Sequence, residues 1–305
     1  MKKRWRYRKP DPERVDHFRK TFSCTAVTAT LLANRNLDTV EAAREFLQPS
    51  LHQLRSPLDL CDLPRAVERI VAAVDRGENI LIFGDYDVDG ITATAVLEHF
   101  LQSIGARVSS YIPHRLQEGY GFQEQHVEAV AAARGAGLIV TVDNGSSSNA
   151  AIRKAVSAGI DVVVTDHHDI ESPPSDAVAV VNPKRADCSA DFEHLAGVGV
   201  AMALVIGLRK ALRERGFWQG HNQPNLKNYC DLVALGTVAD AVPLIRENRV
   251  YVKTGLDILR QGQSRPGLSA LLQRCAVAPS TAGAGDLAFK LAPRLNAAGR
   301  MQHAD

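Results

Sequence analysis

A chain of 305 residues, 45% hydrophobic and 23% charged, has the composition of a soluble globular protein, with one large α/β domain or two smaller ones. Its formal net charge of only +2 excludes a polycation, so any nucleic-acid binding rests on local basic surface. The five cysteines (Cys24, Cys61, Cys188, Cys230 and Cys275) form no C-x-x-C pair, and no apolar run reaches membrane-spanning length; this argues against disulfides, a zinc site or a membrane, and predicts a cytoplasmic protein with reduced thiols.

The first nine residues, MKKRWRYRK, set Trp5 and Tyr7 among lysines and arginines. That mixture suits a strand of nucleic acid, by stacking and phosphate neutralisation, and equally a solvated terminus. Short helical patterns occupy the stretch between Pro10 and Pro57, one of them with Thr39 as its N-cap and Pro49 beyond its end. Residues 63–75 read as an amphipathic helix, with Pro64 in the first turn and Gly77 past the end.

Residues 79–92, NILIFGDYDVDGIT, are the stretch around which the rest of the chain is organised. An apolar run ends at Asp85, Asp87 and Asp89, Gly90 comes next, and a helical spacing resumes, which predicts a buried strand, an acidic turn and a helix. The carboxyl end of such a strand is where α/β sheets bind ligands. Three carboxylates this close repel one another unless solvated or bound to a cation. An EF-hand loop would need Glu where Val96 stands, and a helix rather than a strand before it. A Rossmann phosphate turn would need glycines that are absent, and the acids would repel a pyrophosphate. A solvated acidic loop stays open on this stretch alone.

Further strands are predicted at residues 107–112, 137–142, 160–165 and 177–181, with helices at 123–134 and 148–158. Short apolar strands alternating with helices predict an α/β fold with a doubly wound, mainly parallel sheet. From residue 198 the pattern turns helical, at 198–215, 226–239, 248–261 and 267–274, so a helical segment comes after the sheet.

Polar groups recur at the strand ends: Asp143-Asn144-Gly145 after 137–142, and Asp166-His167-His168-Asp169 after 160–165. Asp240 ends the run DLVALGTVAD. Singly, each has an ordinary explanation: a turn pair, surface histidines, a solvated acid. Together they lie on one edge of a parallel sheet, without Lys or Arg close in sequence. Carboxylates with imidazoles suit Mn2+, and Mg2+ less well. More than four such ligands imply two ions sharing a carboxylate, about 3.5–4 Å apart, the arrangement used for in-line displacement at phosphorus.

GDYDVDG (residues 84–90), VDNG (142–145), DHH (166–168) and GTVADAVPL (236–244) resemble motifs I to IV of the DHH phosphoesterase superfamily. Within it, FLQPSLHQLRSP (46–57), YIPHR (111–115), HLAGVGVAMAL (194–204) and RLNAAGRM (294–301) resemble the RecJ family of single-strand-specific 5′→3′ DNA exonucleases. The resemblance implies that Asp87 and Asp89 ligate different ions, that Asp143 bridges them, and that His167 and Asp240 complete the second site. His168 would contact or position the scissile phosphate, and Asp85 and Asp166 would orient ligands or water. Superfamily pyrophosphatases carry a histidine where Phe83 stands, so one ion here would have fewer protein ligands.

Arg115 is a candidate to grip a phosphate, with a surface arginine as the plain alternative. Arg294, Asn296 and Arg300 are candidates for substrate contact, with a helix ion pair as theirs. The function implied is two-metal hydrolysis of single-stranded DNA in repair and recombination, with a single-strand-binding protein and a helicase as partners. The alternatives are a superfamily phosphatase or pyrophosphatase of small nucleotides, or an inactive nucleic-acid-binding fragment. The family pattern divides the chain into an N-terminal extension (1–62), a DHH catalytic domain (63–245) and a helical connector (246–305). Relatives continue into a DHHA1 domain and an oligonucleotide-binding module not seen before Asp305, so reduced activity is expected.

Overall fold

The computed structural model describes residues 6, 8–35, 37–220 and 222–301, without the side chains of Arg300 and Met301. Trp5 and Tyr7 of the basic opening lie outside the described residues. The chain divides into two compact units, Met1–Gln53 and Leu54–Asp305.

Among the described residues, the first unit holds α1 (Pro12–Phe22), α2 (Ala26–Ala33) and α3 (Val40–Leu47), with a 3-10 turn at Leu51–Gln53. Asp11, Thr25 and Thr39 cap them, each side chain accepting a backbone N–H that the first turn leaves without a partner. Phe18, Ala29, Leu32 and Ala43 form its core.

The second unit opens with α4 (Leu63–Asp75), β1 (Asn79–Phe83), α5 (Val88–Ser103) and β2 (Val108–Tyr111). Next come α6 (Glu124–His126), β3 (Ala136–Val142), α7 (Asn149–Ser157), β4 (Asp161–Thr165) and β5 (Ala179–Val181). All five strands pair in parallel, in the order β2-β1-β3-β4-β5. The fold is therefore the doubly wound α/β sheet. Its winding reverses between β1 and β3, which opens a crevice at the carboxyl ends of those two strands. Leu81, Phe83, Ile139, Val162 and Val164 pack on one face with Ile152 and Ala155 of α7, and α4 and α5 cover the other. Burial on both faces is why the strands read as continuous apolar runs.

The helical segment comprises α8 (Gly197–Glu214), α9 (Cys230–Ala239), α10 (Arg246–Arg260), α11 (Pro266–Arg274), α12 (Ala284–Asp286) and α13 (Ala292–Met301). Leu235, Leu256, Leu259, Leu272 and Leu291 belong to their shared core, together with Val88 from α5.

The structure departs from periodicity in several places, among them the helical segments beyond residue 274, which the pattern did not mark. The helix after the acidic turn starts at Val88 rather than beyond Gly90, because the Asp87 Oδ1 accepts the Gly90 N–H at 3.0 Å and caps it. Residues 123–134 are not one regular helix: α6 runs into a π turn (Val127–Ala131) and a 3-10 turn (Ala132–Arg134). The segment 226–239 begins as a 3-10 turn, Leu226–Tyr229. All five cysteines are free, and no described helix is long and apolar enough to cross a membrane.

Candidate metal centre

Side-chain bonds to backbone carbonyls lock the strand ends together. Asn144 Nδ2 donates to the carbonyls of Phe83 at 3.1 Å and Val142 at 2.9 Å, joining β1 to β3. Thr165 Oγ1 donates to the Thr141 carbonyl at 2.7 Å, joining β4 to β3. On this frame Asp143 takes a left-handed φ of +62°, a region that Asp enters more readily than most residues.

The strand ends and the end of α9 bring seven side chains together. Asp85, Asp87 and Asp143 form one set of oxygens within 4.8 Å of one another, and Asp89, His167 and Asp240 form a second set. A third set, Asp143, His167 and His168, overlaps both. His167 Nε2 faces oxygens of Asp143 at 3.1 Å, Asp240 at 3.6 Å and Asp89 at 3.7 Å. Although the nearest of these is within hydrogen-bonding distance, its geometry is not that of a hydrogen bond, and His167 Nε2 and Asp143 Oδ1 are both left without one. Asp85 Oδ1 is likewise buried and unbonded.

The electrostatics match that geometry. Burial, then the charge of Asp87, pushes Asp85 up to about 7 and Asp240 up to about 6. Asp89 and Asp143 rise well above the carboxylate range, by burial first and by neighbouring acids second. Burial, with His168 alongside, lowers His167 to about 4, so its imidazole is neutral. Buried polar atoms without a hydrogen-bond partner, here Asp85 Oδ1, Asp143 Oδ1 and His167 Nε2, are costly unless a cation lies among them. Hard oxygens with one or two imidazoles, orphaned in this way, fit divalent cations.

Asp166 differs from Asp85 and Asp143 because both of its oxygens are bonded. Its Oδ1 accepts from His167 N, His168 N and His168 Nδ1 at 2.7, 3.1 and 2.8 Å, and its Oδ2 accepts from Ser146 N at 2.9 Å. Burial opposes its charge, yet these bonds hold its pKa at about 2, and the same contact raises that of His168.

Two close approaches need glycine. Asp89 accepts from the N–H groups of Gly197 at 2.6 Å and Val198 at 2.9 Å, so it sits on the positive end of α8. A Cβ on Gly197 would come within 2.4 Å of Asp143 Oδ1, and one on Gly236 within 2.9 Å of Asp89 Oδ1. The first glycine of GVGV and the glycine of GTVAD thus make room for the acids.

A family model described as the DHH family, N-terminal domain, matches residues 79–237, more than half of the chain. The chain belongs to the DHH family. The single-stranded-DNA-specific exonuclease RecJ of Bacillus subtilis is 38% identical over 304 residues, which is 100% of this chain and 37% of its own length. That of Salmonella typhimurium is 44% identical over 265 residues, 86% of this chain and 46% of its own length. A crystal structure of RecJ in complex with Mn2+ from Thermus thermophilus matches with a TM-score of 0.78 and 31% identity, over 97% of this chain and 40% of that one. The DHH chain thus spans less than half the length of these relatives.

The residues expected to meet substrate are placed less uniformly. Arg115 lies over the ring of Tyr86, 4.6 Å from its centroid. Asn296 Oδ1 accepts the Val88 N–H at 3.1 Å, so its oxygen holds the acidic turn. Arg294 Nη1 bonds the Lys290 carbonyl within its own helical segment at 2.6 Å. The side chain of Arg300 lies outside the described residues. Periodicity missed Tyr86 and Tyr120, whose rings are 6.3 Å apart with that of Tyr120 beside His168, and Asn182 just past β5. The rule that found Asp143 and Asp166, a polar residue just past an apolar strand, also applies to Asn182.

Proposed function

We propose that this chain carries the hydrolytic centre of a metal-dependent exonuclease acting 5′→3′ on single-stranded DNA, with two Mn2+ or Mg2+ ions as cofactors. One observation carries the reading: two ligand sets adjoin, with Asp143 of one facing His167 of the other at 3.1 Å. Asp85, expected from the resemblance only to orient ligands or water, would instead join Asp87 and Asp143 in holding one cation, and Asp89, His167 and Asp240 would hold the other. Asp143 stands where a shared ligand would. Once bound, such a pair lowers the pKa of water and neutralises charge developing at phosphorus. Asp166 engages Nδ1 of His168 and leaves Nε2 as the nitrogen for a phosphate oxygen.

An unpaired strand fits the rim of the site. Tyr86 and Tyr120 offer rings for stacking, and Arg115 adds charge against phosphate. The names and the bound Mn2+ of the relatives support the same substrate and metal. A helicase and a single-strand-binding protein would supply such strands, and the free cysteines agree with a cytoplasmic setting.

The test is a Mn2+ assay on 5′-labelled single strands, duplexes, dinucleotides and pyrophosphate. Mononucleotide release from single strands, stopped by EDTA, is expected. Hydrolysis of pyrophosphate or dinucleotides instead would move the chain to the small-nucleotide chemistry of the superfamily. Mn2+ binding without any hydrolysis would mark a binding fragment.

A further inference from the structure

We propose that Asn182 is a positioning residue for His168, holding the peptide that aims this imidazole at the scissile phosphate; the inference rests on the function proposed above. Asn182 is 1% exposed and lies just past the edge strand β5. Its Nδ2 donates to Ser146 Oγ at 2.8 Å and to the His168 carbonyl at 2.9 Å. Its Oδ1 accepts the Lys184 N–H at 2.9 Å. A backbone donor on one side and a backbone acceptor on the other fix which way the amide points.

These bonds close a circuit around His168. Asp166 grips its backbone nitrogen and its Nδ1, and Asn182 grips its carbonyl. Ser146 joins the two grips, its hydroxyl bonded to Asn182 and its N–H to Asp166. The loop after β3, the DHH turn after β4 and the end of β5 thus share one network. The His168 side chain is 47% exposed, with the Tyr120 and His167 rings beside it and the Tyr120 hydroxyl 3.3 Å from its Nδ1. Packing thus holds it on one side only, whereas His167 is buried among the acids. A bonded backbone on both sides leaves the imidazole few directions to take.

Asn182→Asp is the sharpest test. It keeps the size, the acceptor for Lys184 and a partner for the Ser146 hydroxyl, but turns an oxygen toward the His168 carbonyl. If Asn182 positions His168, kcat on a single-stranded oligonucleotide falls on the order of 10–100-fold. KM and Mn2+ affinity stay as in the wild type, while Tm falls because a buried carboxylate now faces a carbonyl. In a His168→Ala background the second substitution costs nothing more, because the two act as one unit. An unchanged kcat, a full additional loss in the His168→Ala background, or a fall in Mn2+ affinity would each overturn the proposal.

A second readout needs no catalysis. The imidazole NMR signal that disappears in His168→Ala should shift in metal-free Asn182→Asp, and the His167 signal should not. Absence of that shift overturns the role of Asn182. Absence of any wild-type hydrolysis overturns the proposed function instead, and the spectra still decide the Asn182 contact. If the aspartate variant does not fold, Asn182→Ala, which adds no charge, carries the same measurements.

Discussion

The side-chain oxygen of Asn296, in the last helix, accepts the backbone N–H of Val88 between Asp87 and Asp89, a contact that spans 208 positions of sequence. It ties α13 to the turn that carries the acids. Asn296→Ala removes a cap, which costs roughly 0.5–2 kcal/mol where helix N-termini lose theirs. The expected outcome is a lower Tm and a Mn2+ affinity reduced by about tenfold or more, read by calorimetric titration. A lower Tm with unchanged Mn2+ affinity would make Asn296 a cap and nothing else.

Asp143→Asn should separate stability from activity. Asparagine also enters the left-handed region, so the backbone at φ +62° tolerates it. It removes one of the mutually repelling carboxylates, so the metal-free protein should melt about 2–4 °C higher, the shift that ~1 kcal/mol gives in a chain of this order. Mn2+-dependent hydrolysis should vanish, and Mn2+ should no longer raise Tm. A variant that still turns over in Mn2+ would remove Asp143 from the centre.

Gly197→Ala tests the close approach. The added methyl would meet Asp143 Oδ1 at 2.4 Å, while the Asp89 bonds to the α8 amides need not break. Overpacking of this kind costs about 1–3 kcal/mol. Loss of Mn2+ binding with the fold retained by circular dichroism is the expected result. Wild-type Mn2+ binding would show that Asp143 can move aside at no cost.

Without cations the centre should make stability depend on pH. Burial first, then neighbouring acids, raise Asp85 to about 7 and Asp240 to about 6, and Asp89 and Asp143 rise as well. Unfolded, these groups titrate near ~3.9. The fold therefore prefers them protonated: that contribution is complete below about pH 4 and is lost as pH rises toward 7. In EDTA the Tm should fall across that window. The Tm gain from Mn2+ should grow across it, because the dication takes the place of the protons. A metal-free Tm that stays flat would dismiss the repulsion.

Local order along the chain carried the sheet, the helices and the names of the clustered acids and histidines. Strand and helix periods are local, and a polar residue directly after an apolar strand is recognisable without knowing what it will face. The sequence alone therefore led to Asp85, Asp87, Asp89, Asp143, His167, His168 and Asp240, and the structure places them within one cluster. Tertiary closure decided the remainder. Asp89 rests on the amides of α8, Asn296 points at Val88 rather than outward, and Asn182 closes a circuit through Ser146 and His168. Each of these contacts joins segments far apart in the chain, and a hydrogen bond between distant segments leaves no periodic trace in either one.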